Sequence, residues 1–259
     1  MNDLLIQPMQ WDFDNYFSYA SENNFNFELL GFCEPGILDD EKKINELIDI
    51  YMPLKDRIYS MHGAFFSLQV TALDSTIRDA SRRRIIQNCE ICKKLDIKNL
   101  ILHCDKLPYI REQSYTNKWV DASYPFYSSL IEQYDINIIM ENCWDLGPYP
   151  LKQLVDKMKT EKFKACIDTG HVHCFSEASI GEWIDVLGND LIYLHFNDNH
   201  GETDEHLPAG SGSFDFQALT DKIAEHRLSA KVVFETFSID NIKSSIKYLK
   251  QNMFYPFNV

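Results

Sequence analysis

The stretch NIIMENCWDLGPYPLKQLVDKMKTEKFKACID, residues 137–168, decides how the chain reads. It opens on a β-branched apolar run at 137–141 and passes a Gly- and Pro-bearing turn at 145–150. An amphipathic segment at 151–159 follows, and then a second apolar run at 165–168. Short β-branched runs bounded by turn residues predict strands, and the intervening segment predicts a helix. Each strand closes on a carboxylate, Glu141 and then Asp168.

The same unit recurs in both directions. Strand-like runs are expected at 4–7, 27–32, 57–61, 99–103, 137–141, 165–168, 191–195 and 232–235. Amphipathic segments separate them at 42–51, 77–94, 124–134, 151–159, 181–187, 216–226 and 241–250, with apolar spacings of three and four such as Ile44, Leu47, Ile48 and Tyr51. Strict alternation predicts parallel pairing, and eight units in 259 residues fit an α/β fold of the closed (β/α)8 TIM-barrel type as one domain over 1–259. No GxGxxG follows the first strand, which removes the sequence support for a dinucleotide fold.

Composition narrows the function. A net charge of −14 disfavours nucleic acid or an anionic membrane as a general partner, because both require basic fields. The dense basic run Arg82–Arg84 lies on an expected outer helix. Seven cysteines without a disulfide spacing predict reduced thiols, and Cys89 and Cys92 read as buried small side chains on one helix face. The start, MNDLLIQPMQ, carries no signal-peptide pattern and no stretch is long and apolar enough to span a membrane; a soluble, cytoplasmic protein is expected.

Nine residues of metal-ligand type end strands or follow them closely: His62, His103, Glu141, Asp168, His171, His195, Asp204, His206 and Glu235. In a barrel of this type the strand ends at the C-terminal face converge. Four carboxylates sharing that space, Glu141, Asp168, Asp204 and Glu235, repel one another unless cations neutralise them, and Lys106 is the basic residue near these strand ends. A divalent metal cofactor is the economical expectation: zinc or manganese, with cobalt or magnesium also compatible with mixed His and carboxylate ligands. His173, Lys106, Trp144 and Trp11 are expected to contact substrate.

The segments MHGAFF (61–66), ILHC (101–104), IMEN (139–142), CIDTGHVH (166–173), YLHFNDNHGETDEHLPAGSGSFDF (193–216) and VFETF (233–237) resemble the xylose-isomerase-like TIM-barrel superfamily. That superfamily holds sugar and sugar-phosphate isomerases and epimerases as well as the family-2 apurinic endonucleases. The resemblance implies a metal held by Glu141, Asp168, His195 and Glu235, with His171 touching substrate. Glu141 and Glu235 then serve as catalytic carboxylates, moving a proton beside the carbonyl of a small-molecule sugar or sugar phosphate through a metal-stabilised enediolate. The alternative implied by the endonuclease branch is a three-zinc cluster. It would take His62, His103 and Glu141, then Glu141, Asp168, His195 and Glu235, and finally His171, Asp204 and His206.

Overall fold

Eight short strands rich in Ile, Leu and Val cannot bury both faces alone, and closing them into a ring solves this with one face inward and the other under helices. The computed structural model describes residues 4–258. Its strands are β1 Leu4–Ile6, β2 Asn26–Leu29, β3 Ile58–His62, β4 Asn99–His103, β5 Asn137–Glu141, β6 Phe163–Asp168, β7 Leu191–Phe196 and β8 Lys231–Phe234. They pair in parallel in sequence order and β1 closes on β8. The expected barrel is the fold observed.

The helices are α1 Phe13–Asn23, α2 Pro35–Leu38, α3 Glu41–Tyr51, α4 Ser75–Leu95, α5 Gln113–Tyr134, α6 Tyr149–Met158, α7 Thr169–Phe175, α8 Ile180–Leu187, α9 Phe216–His226 and α10 Ile239–Gln251. None of the described helices is long and apolar enough to cross a membrane. Side-chain caps start many of them: Asp74 accepts from the Thr76 and Ile77 amides at α4, and Ser238 from Asn241 at α10. Five end on a left-handed residue, Asn24, Asp96, Asp135, Lys159 or Arg227, which turns the chain sharply into the next strand. Connections at that end of the barrel are therefore short, and the longer loops sit at the other end, where the strands terminate.

Differences from the sequence expectations are local. Helix α5 begins eleven residues before the expected Tyr124, because Pro125 lies inside it and reads as a helix start. Helices α1 and α7 were not expected. The second strand stops at Leu29, where a 3-10 turn at Gly31–Cys33 begins, and Glu235 lies one residue past β8 although its amide still bonds the Phe196 carbonyl at 3.1 Å. The cysteines are unpaired, as expected, with Cys89 and Cys92 fully buried among apolar neighbours.

Side chains alternate faces along a strand with period two, and this places the site. Leu5, Ile101, Ile139, Cys166, Tyr193 and Val233 form a cluster of their own inside the barrel, separate from the larger core beneath the helices. Two residues further along five of these strands, on the same inward face, stand His103, Glu141, Asp168, His195 and Glu235. His62 has the same relation to Ser60 of β3.

Candidate metal centre

Glu141 is the hub of the cluster and is fully buried. Its Oε2 lies 3.3 Å from His62 Nε2 and 3.5 Å from His103 Nε2, while its Oε1 lies 3.4 Å from His171 Nδ1 and 3.3 Å from His195 Nδ1. His195 Nδ1 is also 2.8 Å from Glu235 Oε2. Asp204 completes the rim, with its Oδ2 3.4 Å from His171 Nε2 and 3.0 Å from His206 Nε2. All nine ligand-type residues singled out in the sequence thus meet in one network.

Local structure fixes their directions. Asp168 ends β6 and caps α7: its Oδ1 accepts from the His171 amide at 2.7 Å and its Oδ2 from Asn197 Nδ2 at 2.6 Å. Three imidazoles back onto main-chain carbonyls through Nδ1: His62 onto Gly63 at 2.9 Å, His171 onto Asn142 at 2.9 Å and His206 onto Glu235 at 3.1 Å. A carbonyl can only accept, so Nδ1 carries a hydrogen and Nε2 is the nitrogen that faces the carboxylates, donating to them when protonated and free to ligate when not.

The charges are arranged unevenly. Burial would raise the Glu141 carboxyl, but the imidazoles of His195, His103 and His171 outweigh it and hold the group well below its usual range. Glu235 is likewise lowered, against burial, by His195 and His206. Burial, followed by the repulsion of Glu235 and Glu141, pushes Asp168 up to about 7 even though His171 opposes it. Burial lowers His103 to about 3, whereas Asp204 lifts His206 to about 9 against its own burial.

These side chains fit a metal. Glu141 Oε1 and Oε2, both ring nitrogens of His195, Glu235 Oε2 and Asp204 Oδ1 are buried without a hydrogen-bond partner, although neighbours stand at ion-pair distances. One ligand atom each from Glu141, Asp168, His195 and Glu235 lie within 4.8 Å of one another, and so do His62, His103 and Glu141. Ligands about 2.1 Å from a common ion can be at most about 4.3 Å apart, so small rotations close either set.

The residues expected at the substrate are spread more widely. Trp144 is half exposed on the β5 loop with its ring 4.6 Å from that of Phe175, which itself lies 6.1 Å from His171. Lys106 and Trp144 both line a cavity of about 440 Å3 that also reaches His103 and Phe65. The Lys106 ammonium, however, is turned into its own loop, 3.0 Å from the Ile110 carbonyl and over the Tyr115 ring. His173 bonds Ser213 Oγ at 2.9 Å, and Trp11 stands exposed after β1 with no recorded contact to the cluster.

Three supporting residues escaped the sequence reading. Asn142 and Asn197 grip Asp168 from either side. Asp198 ties down the loop that carries Asp204 and His206 by accepting the amides of Gly210, Gly212 and Phe214 at 2.9–3.0 Å. The signal for all three was their place next to a ligand, in IMEN and HFND, where an amide or carboxylate is available to orient its neighbour.

Comparison with known proteins agrees with this architecture. Residues 28–252 match the sequence profile described as Xylose isomerase-like TIM barrel. An uncharacterized protein of Methanocaldococcus jannaschii is 24% identical over 245 residues, covering 89% of this chain and 81% of its own. A D-tagatose 3-epimerase-like protein superposes with a TM-score of 0.75 at 21% identity, covering 97% of both chains. A D-allulose 3-epimerase from Methylomonas sp., solved with D-allulose, does so with a TM-score of 0.71 at 14% identity, covering 96% of each. With a closed eight-stranded barrel and a profile match spanning most of its length, this chain belongs to the xylose isomerase-like TIM-barrel family.

Proposed function

We propose that the protein is a divalent-metal-dependent isomerase or epimerase of a small sugar or sugar phosphate. The observation that carries the reading is the set Glu141, Asp168, His195 and Glu235 from the ends of four adjacent strands: one ligand atom of each lies within 4.8 Å of the others, and the Glu141, His195 and Glu235 atoms are buried without a hydrogen-bond partner. Proteins of the same fold that are named for sugar 3-epimerisation support it.

Held by these four residues, a divalent zinc, manganese, cobalt or magnesium ion supplies an electrophile that lowers the cost of negative charge on a carbonyl oxygen. The side chains do the remaining work. Glu141 and Glu235 end β5 and follow β8, with His195 of β7 between them, so their carboxylates approach a bound sugar from different directions. One takes the proton from the carbon beside the carbonyl. Delivery of that proton to the former carbonyl carbon, while the neighbouring hydroxyl passes its own proton to the new hydroxyl oxygen, isomerises the sugar; delivery of a proton from the opposite carboxyl, when that one is protonated, to the other face of the original carbon inverts it. His171, His173 and Trp144 are assigned to substrate contact, and Trp11 to the outer rim. Lys106 shapes the β4 loop.

The flanking groups His62, His103, His171, Asp204 and His206 favour one second reading, abasic-site phosphodiester cleavage with three zinc ions. Electrostatics weigh against it. The chain carries a net charge of −14, and two of the three arginines in its dense basic run are committed elsewhere, with Arg82 bonding the Val70 carbonyl and Arg84 paired with Asp39. Duplex binding needs several free cations on phosphates.

The test is proton exchange. The protein supplied with each metal in turn is incubated with a panel of ketoses and aldoses in deuterated water, and deuterium at the carbon next to the carbonyl is read by mass spectrometry. Incorporation that is lost in Glu235→Gln is expected. Absence of exchange together with zinc-dependent nicking of an abasic duplex would overturn the sugar reading and establish the second.

A further inference from the structure

Directly beneath the candidate metal centre, the inward layer of the barrel contains a carboxylate that the proposed chemistry does not use. Glu28 of β2 is fully buried in the middle of an apolar strand. Its Oε1 accepts from Gln7 Nε2 at 2.9 Å, and its Oε2 accepts from Ser60 Oγ at 3.0 Å and from the Tyr193 hydroxyl at 2.9 Å. Burial, followed by the charge of Glu28, holds the Tyr193 phenol well above its usual range, so it remains a neutral donor. Three donors, from just past β1, from β3 and from β7, thus set one carboxylate in place. Such an arrangement is costly unless the charge serves something.

What Glu28 faces is His195. Glu28 Oε1 lies 3.1 Å from His195 Nε2, on the opposite side of the ring from the Nδ1 that points at Glu141 and Glu235. His62, His171 and His206 lean on neutral backbone carbonyls through Nδ1 and present Nε2. His195 is turned the other way and leans on a full negative charge. The Glu28 contact is at ion-pair distance without an aligned hydrogen bond, and a small rotation of the ring aligns it.

We propose that Glu28 is a positioning residue: it accepts the hydrogen of His195 Nε2, fixes that tautomer, and so makes Nδ1 the ligating atom of this imidazole while raising its basicity. A carboxylate behind a metal-bound histidine orients the ring and strengthens its donor atom. The apolar floor formed by Leu5, Ile101, Ile139 and Val233 keeps water from competing for the same hydrogen. This inference rests on the metal reading given above.

The test uses the full-length protein and zinc alone as probe. In histidine-15N-labelled protein loaded with zinc, nitrogen–proton correlation spectra should show His195 protonated on Nε2 and not on Nδ1. Zinc affinity, measured by competition with a chromogenic chelator, should fall 10- to 100-fold in Glu28→Gln while circular dichroism and cooperative melting stay native. A folded Glu28→Gln protein with unchanged zinc affinity overturns the proposal, as does a spectrum that places the His195 hydrogen on Nδ1. Should Glu28→Gln fail to fold, the wild-type spectrum decides alone. Wild-type protein that binds neither zinc nor manganese, cobalt or magnesium would instead sink the metal reading itself, so the two failures are distinguishable.

Discussion

Glu235 contributes one carboxylate oxygen to the cluster, 2.8 Å from His195 Nδ1, and replacing that carboxylate by an amide keeps the shape while removing the charge. Glu235→Gln is expected to lower metal affinity at least tenfold, the loss that changes in even the supporting shell produce, and to bring sugar exchange to background while the barrel stays folded. Elemental analysis alongside the exchange assay checks this, and a fully metallated, active variant would remove Glu235 from the site. Asp145 offers a cleaner test of electrostatics. It is buried behind the β5 loop, accepting from the Cys143 amide at 3.0 Å and the Cys104 thiol at 3.1 Å, and burial pushes its carboxyl from 3.8 to about 6. A folded-state value above the unfolded one favours folding below pH about 4, and that contribution is lost as pH rises through about 6. Two units correspond to about 3 kcal/mol, so Asp145→Asn should gain on the wild type by up to that amount between pH 4 and 7 in urea unfolding. Parallel stability curves would refute the burial argument. At this scale the ligands were legible because six of them, His62, His103, Glu141, Asp168, His195 and Glu235, break an apolar run at its end, and His171, Asp204 and His206 follow in the loops just after. Glu28 was not read because it interrupts a run in the middle, where only the period-two parity of a known register shows that it points inward beside Ser60 and Tyr193.

At the scale of elements, strands and amphipathic helices were readable from periodicity, and their ends were not. Pro125 concealed the first half of α5, and α7 is a short turn of helix nucleated by the Asp168 cap, too brief for apolar spacing to register. The loop from Asn197 to Asp215 could be recognised by its Gly and Pro content, yet its architecture depends on contacts that sequence does not display. Gly212 shows the constraint most sharply: a Cβ there would press into the Asn199 carbonyl oxygen and Asp198 Oδ1. The obstacle is backbone and a fully engaged side chain, so neither can yield cheaply. Gly212→Ala should cost about 3 kcal/mol or more and lower the melting temperature by roughly 6–12 °C. It should also weaken binding through Asp204 and His206, whose loop Asp198 anchors. Calorimetric melting of the variant decides the matter, with an unchanged midpoint counting against this account of the loop.

For the molecule as a whole, the metal-free cluster balances its carboxylates with protons on imidazoles. Against burial, His195 and His171 are both lifted well above their ordinary range, the first by Cys166 and the carboxylates of Glu141, Glu28 and Glu235, the second by Asp168 and Asp204. A ligating imidazole must surrender its proton, so metal uptake should release protons and strengthen as pH rises, about tenfold per pH unit for each proton displaced. Titration calorimetry in buffers of different ionisation enthalpy counts those protons, and a count of zero would contradict the charge assignment. Because the ligands meet only in the folded barrel, zinc at a hundredfold excess over its dissociation constant should add about 2.7 kcal/mol of stability. The ring of strands gives this a temporal meaning. Glu141, Asp168 and His195 are synthesised early, but Glu235 arrives with β8, the strand that must also find β1 at the opposite end of the chain. A polypeptide lacking β8 would offer three of the four proposed ligands and should hold the ion more weakly than the closed barrel. Ion binding would then favour the closed barrel, and capture of the ion would report that β8 has met β1.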